Sequence, residues 1–342
     1  MLKKAKKSIR RLGAVAMALA MVASVMTVSA FAAETTDGNA AKTVTFKKVV
    51  TTDGNTCAPN TTFTYTVANG TAGTFTAPGT TSAVTTYAGK GGVTLSDTAF
   101  APKEATAASY TTDGSINVAA GTFTAPGVYH YIVTEKTGSY EGITYDIAQR
   151  DLYVYVVNSD SGLVVDGVVM VKKDATNKTD TFTNDYGKDH DTTHDITITK
   201  AVTGSQGDKN KLFDFAVSVN GATGEKYKMV VTVDDHATTS YLTSGADAVT
   251  VQLADSDSIH IYGLTANDTY TVNESSYTAD GYTTTNQNNT GKVTADATTK
   301  TVTNTKDVNT PTGVIMTVAP YVLMVALAGG IAFFFLRRKH AE

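Results

Sequence analysis

The sequence predicts an all-β chain built as two tandem immunoglobulin-like β-sandwich domains, with an N-terminal leader and a membrane-length C-terminal run outside them. Three observations predict this. First, apolar residues alternate with period two, as in Phe63-x-Tyr65-x-Val67, Tyr129-x-Tyr131-x-Val133, Leu152-x-Val154-x-Val156 and Phe213-x-Phe215-x-Val217. That is the pattern of strands with one buried face. Second, no stretch between Glu34 and Thr310 carries an amphipathic helical period, while turn signals recur: Thr-Asp-Gly at 52–54 and 112–114, Asn69-Gly70, Asn220-Gly221 and Asp280-Gly281. Many short strands with frequent turns favour sandwiches. Third, about 280 residues between leader and tail are enough for two domains.

The leader reads from residue 1. Lys3, Lys4, Lys6, Lys7, Arg10 and Arg11 precede an apolar run from Leu12 to Val28 and a small-x-small site at Ala30-Phe31-Ala32, with Val28-Ser29-Ala30 as a near alternative. This is a secretory signal peptide, residues 1–32. The first domain is expected over 40–187 and the second over 193–306, separated by the polar run Tyr186 to Asp195. His190 and His194, with Asp189, Asp191 and Asp195, are candidate metal ligands, but the segment lacks a helical pattern and reads better as a solvated linker. No metal and no cofactor are expected. The repeat Gly-Thr-Phe-Thr-Ala-Pro-Gly at 73–79 and 121–127 reads as a strand end entering a Pro-Gly turn.

The C-terminal segment, 307–342, contains Thr310-Pro311-Thr312-Gly313, an apolar run from Val314 to Leu336 and the basic stop Arg337-Arg338-Lys339-His340. The run is long enough to cross a bilayer as a helix, with the basic end cytoplasmic. Everything before Thr310 then lies outside the cell.

Charge narrows the function classes. The chain has 28 basic and 32 acidic residues. Removing six basic residues with the leader, and three basic and one acidic after Gly313, leaves 19 basic against 31 acidic, with Arg150 the sole remaining arginine. Nucleic-acid binding needs clustered Lys/Arg and is set aside. The single cysteine, Cys57, allows no internal disulfide; it reads as a minor loop residue, with a reactive thiol or a Cys–Gln thioester as the rival. No nucleophile elbow, metal cluster or spaced carboxylate pair points to a hydrolase, so the chain is not expected to be an enzyme.

One constellation carries chemistry, and it occurs twice. Side chains alternate faces along a strand. Lys48 therefore shares a face with Val44, Phe46 and Val50, and Lys200 shares one with Ile196, Ile198 and Val202. Lys47 falls on the outer face. By the same parity Glu135 lies with Tyr131 and Val133, Glu274 with Tyr270 and Val272, Asn184 with Phe182, and Asn304 with Val302. Lys, Glu and Asn thus recur in one order on apolar faces. Burial lowers a lysine pKa and raises a glutamate pKa. A neutral amine is a nucleophile, and a protonated carboxyl can polarise an asparagine amide and pass protons to departing ammonia. The expected product is a Lys–Asn isopeptide bond in each domain, promoted by Glu135 and Glu274, with no cofactor. A buried ion pair beside a structural asparagine is the rival; the repetition favours the bond.

The C-terminal Pro-Thr-Gly, span and basic stop resemble the sorting signal of sortase substrates in Gram-positive bacteria. The whole mature chain resembles the two-domain backbone pilins of streptococci, through Pro126-Gly127-Val128-Tyr129 leading to Glu135, Gly142-Ile143-Thr144-Tyr145-Asp146, Thr181-Phe182-Thr183-Asn184, Val202-Thr203-Gly204 and Phe213-Asp214-Phe215. The resemblance implies self-formed isopeptide bonds at Lys48–Asn184 and Lys200–Asn304. It also implies sortase cleavage between Thr312 and Gly313, and attachment of Thr312 to a lysine of the next subunit. That lysine is placed late in the first domain: Lys178 fits best, with Lys172 and Lys173 as alternatives. Implied partners are a sortase, identical subunits, minor pilins and peptidoglycan; the implied location is the cell wall and pilus, after a transient membrane tether. The alternative is a wall-anchored adhesin or minor pilin that is not polymerised. Two features depart from the pattern. Thr310 stands where an aliphatic residue usually precedes Pro311, and the chain lacks tryptophan and with it the Trp-containing pilin motif.

Overall fold

A computed structural model describes residues 41–308, except 161, 174–176, 189–191 and 295–296, together with 321–329 and 331. The leader, the sorting residues Thr310, Pro311, Thr312 and Gly313, and most of the apolar run lie outside the described residues. Residues 321–329 are helical, and among the described residues no helix is long and apolar enough to cross a membrane.

Between 41 and 308 the chain is almost wholly β, with one short 3-10 helix at Thr278–Asp280. In the first domain a five-stranded sheet runs in the order Ile143–Thr144, Thr181–Tyr186, Lys42–Thr51, Ser109–Val118, Val93–Leu95. A six-stranded sheet built on Gly127–Glu135 and Arg150–Ser159 faces it. The second domain repeats the plan. Its six-stranded sheet carries Ser258–Leu264, His194–Thr203 and Ala297–Thr305 side by side, and its four-stranded sheet is centred on Phe213–Asn220 and Thr269–Glu274. Each core is the filling between two sheets, with Phe46, Tyr131, Leu152 and Phe182 in the first and Ile198, Phe215, Ile261 and Val302 in the second. The fold is therefore the expected pair of β-sandwiches.

In both domains the first and last strands lie side by side and parallel. Lys42–Thr51 pairs with Thr181–Tyr186, and His194–Thr203 pairs with Ala297–Thr305. The registers agree: Lys48 is opposite Phe182 and Val50 opposite Asn184, while Lys200 is opposite Val302 and Val202 opposite Asn304. In each case the asparagine is two residues beyond the lysine's cross-strand partner, on the same face, which is within reach for long side chains.

Three readings need correction. The Thr-Asp-Gly at 112–114 is not a turn; it lies inside the strand Ser109–Val118. Gly114 is there because it pairs with Phe46, whose ring would sit 2.3 Å from a Cβ at that position. A glycine in a strand can mark close approach of a neighbour as well as a turn. The inter-domain linker is also shorter than the polar run suggested, since strands continue to Tyr186 and resume at His194. Gly54 and Gly281 are both at positive φ, 86° and 83°, as turns require, while Gly70 and Gly221 follow the strand ends Asn69 and Asn220 without it, and the repeat at 121–127 is a loop leading into Gly127–Glu135, not a strand end.

The joint between the domains is polar and ordered. The Glu225 carboxylate accepts from Tyr140 (2.7 Å) and Tyr186 (2.9 Å) of the first domain and from Tyr227 (2.5 Å) of its own. Lys228 donates to Asn55 (2.8 Å), and Asn267 donates to Glu141 (2.7 Å). Tyr186 ends the strand that carries Asn184, so the joint is continuous with the first domain's terminal strand.

Candidate functional site

Strand parity delivers each member of the repeated constellation to a core. Lys48, Asn184 and Asn304 are fully buried, and Lys200, Glu135 and Glu274 are nearly so. Lys47, one residue from Lys48, is exposed. Lysine and asparagine come from neighbouring strands of one sheet, and glutamate comes from the sheet opposite.

In the first domain the three side chains are in contact. Lys48 Nζ lies 2.7 Å from Glu135 Oε2, and Asn184 Nδ2 donates to Glu135 Oε1 at 2.6 Å. The carboxamide's other end, Asn184 Oδ1, accepts from the main-chain N–H of Asp146 at 2.8 Å. A main-chain N–H can only donate, so this contact fixes which end of the carboxamide is oxygen. Asp146 is in turn gripped by Arg150, whose Nη2 reaches Asp146 Oδ2 at 2.5 Å. The same guanidinium donates to the carbonyls of Ala148 (2.7 Å) and Thr181 (3.0 Å), and lies 3.8 Å from the centre of the Phe182 ring.

The second domain holds the same residues in a looser arrangement. Asn304 Nδ2 donates to Glu274 Oε1 at 2.7 Å, but Lys200 Nζ is 3.8 Å from that oxygen and donates instead to the carbonyl of Ala201 at 2.9 Å. Glu274 Oε2 and Asn304 Oδ1 are buried acceptors without a hydrogen-bond partner among the described residues. A protonated Glu274 carboxyl would supply a donor where these buried acceptors have none.

The electrostatics follow from burial. Loss of water pulls the Lys48 amine down to about 8, against the opposing pull of Glu135, and pulls Lys200 down to about 8. Burial raises Glu135 and Glu274, against the pull of their lysine and asparagine partners. Both shifts favour a neutral amine beside a neutral acid. Each lysine Nζ also lies over an aromatic face, Lys48 at 4.4 Å from the Phe63 centroid and Lys200 at 4.3 Å from that of Phe213. Burial works against the Asp146 carboxylate, yet Arg150 and main-chain N–H donors hold its pKa below the ordinary value.

Strand alternation gave Lys, Glu and Asn. It did not give Phe63, Phe213, Asp146 or Arg150. Arg150 carried a signal, as the one arginine left between leader and tail, and it is buried. Cys57 is buried, and burial pushes its thiol up to about 11, which makes it a poor nucleophile. His194 and Asp195 stand at the start of a strand, residues 189–191 are outside the described residues, and no group of three or more metal-binding side chains occurs among the described residues. Of the late lysines, Lys172 and Lys173 are exposed, with Lys173 Nζ donating to Gln149 at 3.1 Å; Lys178 is half-buried and bridges to Val171 through its backbone.

Two tandem sandwiches, each with its terminal strands paired in parallel over a buried Lys–Glu–Asn cluster, define the class of protein. Residues 40–187 match the Spy0128-like isopeptide containing domain, and residues 194–306 match a domain of unknown function (DUF7601). The chain is 30% identical over 237 residues to a pilin of Streptococcus pyogenes serotype M1, covering 63% of this chain and 68% of that one. It is similar to the solved structure of a major pilin protein of Streptococcus pyogenes, with TM-score 0.56 and 25% identity over 79% of this chain and 99% of that one. Another major pilin structure from the same species matches with TM-score 0.55 and 22% identity over 79% of this chain and all of the other. The chain belongs to the pilin family, a family of structural proteins.

Proposed function

We propose that this chain is the repeating backbone subunit of a covalent pilus on a Gram-positive cell surface, with each domain closed by its own isopeptide bond. The observation that carries the reading is the doubled cluster: a buried lysine, glutamate and asparagine, in one register, bridging the first and last strands of both domains. In each site the neutral amine attacks the asparagine Cγ. A C–N bond forms, the bond to Nδ2 breaks, and ammonia leaves with a proton relayed from the lysine nitrogen by the glutamate. Nothing else is consumed.

The position of the bonds suits a fibre. In the second domain the parallel terminal strands His194–Thr203 and Ala297–Thr305 enter at one end and leave at the other, so tension shears them past each other. A Lys200–Asn304 bond passes that load directly from the entering strand to the leaving one. In the first domain a pull applied through a lysine at 172–178 reaches the leaving strand Thr181–Tyr186 itself, and a Lys48–Asn184 bond keeps that strand from being stripped away from Lys42–Thr51.

Polymerisation requires an electrophile and an amine. A sortase cleaving between Thr312 and Gly313 supplies the first, after the apolar run has held the subunit at the membrane; Lys178, Lys172 or Lys173 supplies the second. An attacking amine must reach solvent, which favours Lys172 and Lys173. Wall extracts of the producing organism should contain a ladder of very large species that survives boiling in SDS. Replacing all three lysines by alanine should collapse it to monomer, and single replacements identify the linking residue. A ladder that persists in the triple variant would remove this cluster as the linkage site. Absence of a ladder from the unmodified strain would favour a non-polymerised, wall-anchored adhesin or minor pilin.

A further inference from the structure

The two sites differ in what faces the carboxamide oxygen, and that oxygen gathers negative charge when the amine adds. As the Lys48 nitrogen bonds to Asn184 Cγ, the carbonyl π pair moves onto Oδ1. Collapse of that adduct restores the C=O and expels Nδ2 as ammonia. Glu135 touches the nitrogen end of the carboxamide, at 2.6 Å from Nδ2, and the lysine, at 2.7 Å. It is placed to take a proton from one nitrogen and give it to the other. It is not placed on the oxygen. The Asp146 main-chain N–H is, at 2.8 Å.

We propose that the Asp146 main-chain N–H is the oxyanion donor of the first-domain site, held in place by Arg150, and that the second domain closes its bond without such a donor. This rests on the isopeptide reading above. Three observations support it. Residues 145–149 lie outside the strands, and the N–H groups of Asp146 and Ala148 go to side chains, Asn184 Oδ1 and Asp146 Oδ1. Arg150 ties that segment to the asparagine strand through the Asp146 carboxylate, the Thr181 carbonyl and the Phe182 ring. In the second domain the equivalent oxygen, Asn304 Oδ1, is buried and without a donor among the described residues. A prepositioned N–H costs no reorganisation when charge develops, and removing one such donor from an enzyme's oxyanion site slows catalysis by about 10²–10³-fold. Polarisation at the second site falls to the protonated Glu274 alone.

The test uses the whole secreted chain, made in a cell-free system with a labelled pulse. Samples are quenched in denaturant over time, and the Lys48–Asn184 and Lys200–Asn304 linked peptides are quantified after digestion. The second linkage is an internal control in every sample. Asp146→Ala retains the N–H and loses the carboxylate that Arg150 grips; Asp146→Pro loses the N–H as well. We expect Asp146→Pro to slow the first linkage by about 10²-fold relative to the unmodified chain, Asp146→Ala to slow it by less, and the second linkage to keep its rate in both. Equal first-linkage rates in the proline and alanine variants would overturn the proposal. If the proline variant does not fold, as judged by protease resistance, Arg150→Met and Arg150→Lys replace it. The methionine variant is then expected to slow only the first linkage and the lysine variant to restore part of the rate; an unchanged rate in a folded Arg150→Met chain would overturn the role of Arg150 and the held N–H together. An unmodified chain that forms neither linked peptide would refute the isopeptide reading itself, a different result from a linkage that forms at the same rate in every variant.

Discussion

Replacing Asn184 with alanine removes the electrophile of the first site and leaves the Lys48–Glu135 pair in place. A Lys48–Asn184 bond closes a loop of about 136 residues, and the chain-entropy relation for a cross-link of that span gives about 5 kcal/mol of stabilisation, acting on the unfolded chain. The substitution also strips the Asp146 N–H of its acceptor, which adds about 1–3 kcal/mol. For a domain of about 150 residues each kcal/mol moves the melting temperature by about 2–4 °C. The first-domain transition should therefore fall by about 12–32 °C in a calorimetric scan of the mature chain, while the second-domain transition keeps its place. The corresponding Asn304→Ala leaves a loop of about 104 residues unclosed and should lower the second transition through a cross-link loss of nearly the same size, about 5 kcal/mol. A drop of only about 3 °C or less in the first transition would mean that no cross-link had been present to lose, and the reasoning would fail.

Three further outcomes follow. The rate of bond formation in the first domain should be bell-shaped in pH. The reactive neutral pair carries the same single proton as the ion pair, so the rate is flat between the two titrations. It falls below the raised Glu135 value, where Lys48 and Glu135 are both protonated, and falls again above about 8, where the pair has lost its shared proton. Linked-peptide yield across pH 5 to 10 checks this, and a rate that climbs steadily to about pH 10, as an unperturbed lysine would give, contradicts it. At the joint, Glu225→Ala removes the acceptor of three tyrosine hydroxyls. Both isopeptide bonds should still form, but small-angle scattering should report a wider range of inter-domain arrangements; an unchanged profile would assign the joint's rigidity to other contacts. Cys57, buried and with its thiol raised to about 11, should react with a maleimide only after unfolding; rapid labelling of the folded protein would reopen the reactive-thiol reading.

The cluster was legible because strand geometry is regular. Lys47 and Lys48 are adjacent, and period two alone put the first outside and the second inside, as the burial of β-strand Lys42–Thr51 bears out. The same parity placed Glu135, Glu274, Asn184 and Asn304 in the cores. What parity cannot give is contact made through irregular segments or between different strands. Arg150 gripping Asp146 depends on how an irregular segment folds back on the asparagine strand. Phe63 and Phe213 reach their lysines from other strands. Glu225 meets Tyr140 and Tyr186 only because the two sandwiches abut there. Gly114 was misread for a related reason: its neighbour, Phe46, belongs to another strand, so the cause of the glycine lay outside its own stretch of chain.

The central claim is that both domains carry a covalent Lys–Asn bond, and the intact mass of the recombinant mature chain tests it most directly. The account predicts a mass below the sequence value by two molecules of ammonia, by one molecule when either Glu135 or Glu274 is replaced by alanine, and the full sequence mass when both are. Tandem spectra should then join the Lys48 peptide to the Asn184 peptide and the Lys200 peptide to the Asn304 peptide. A native chain of full, uncorrected mass would contradict the account in both domains, and a loss of one ammonia would confine it to the domain whose linked peptide is found.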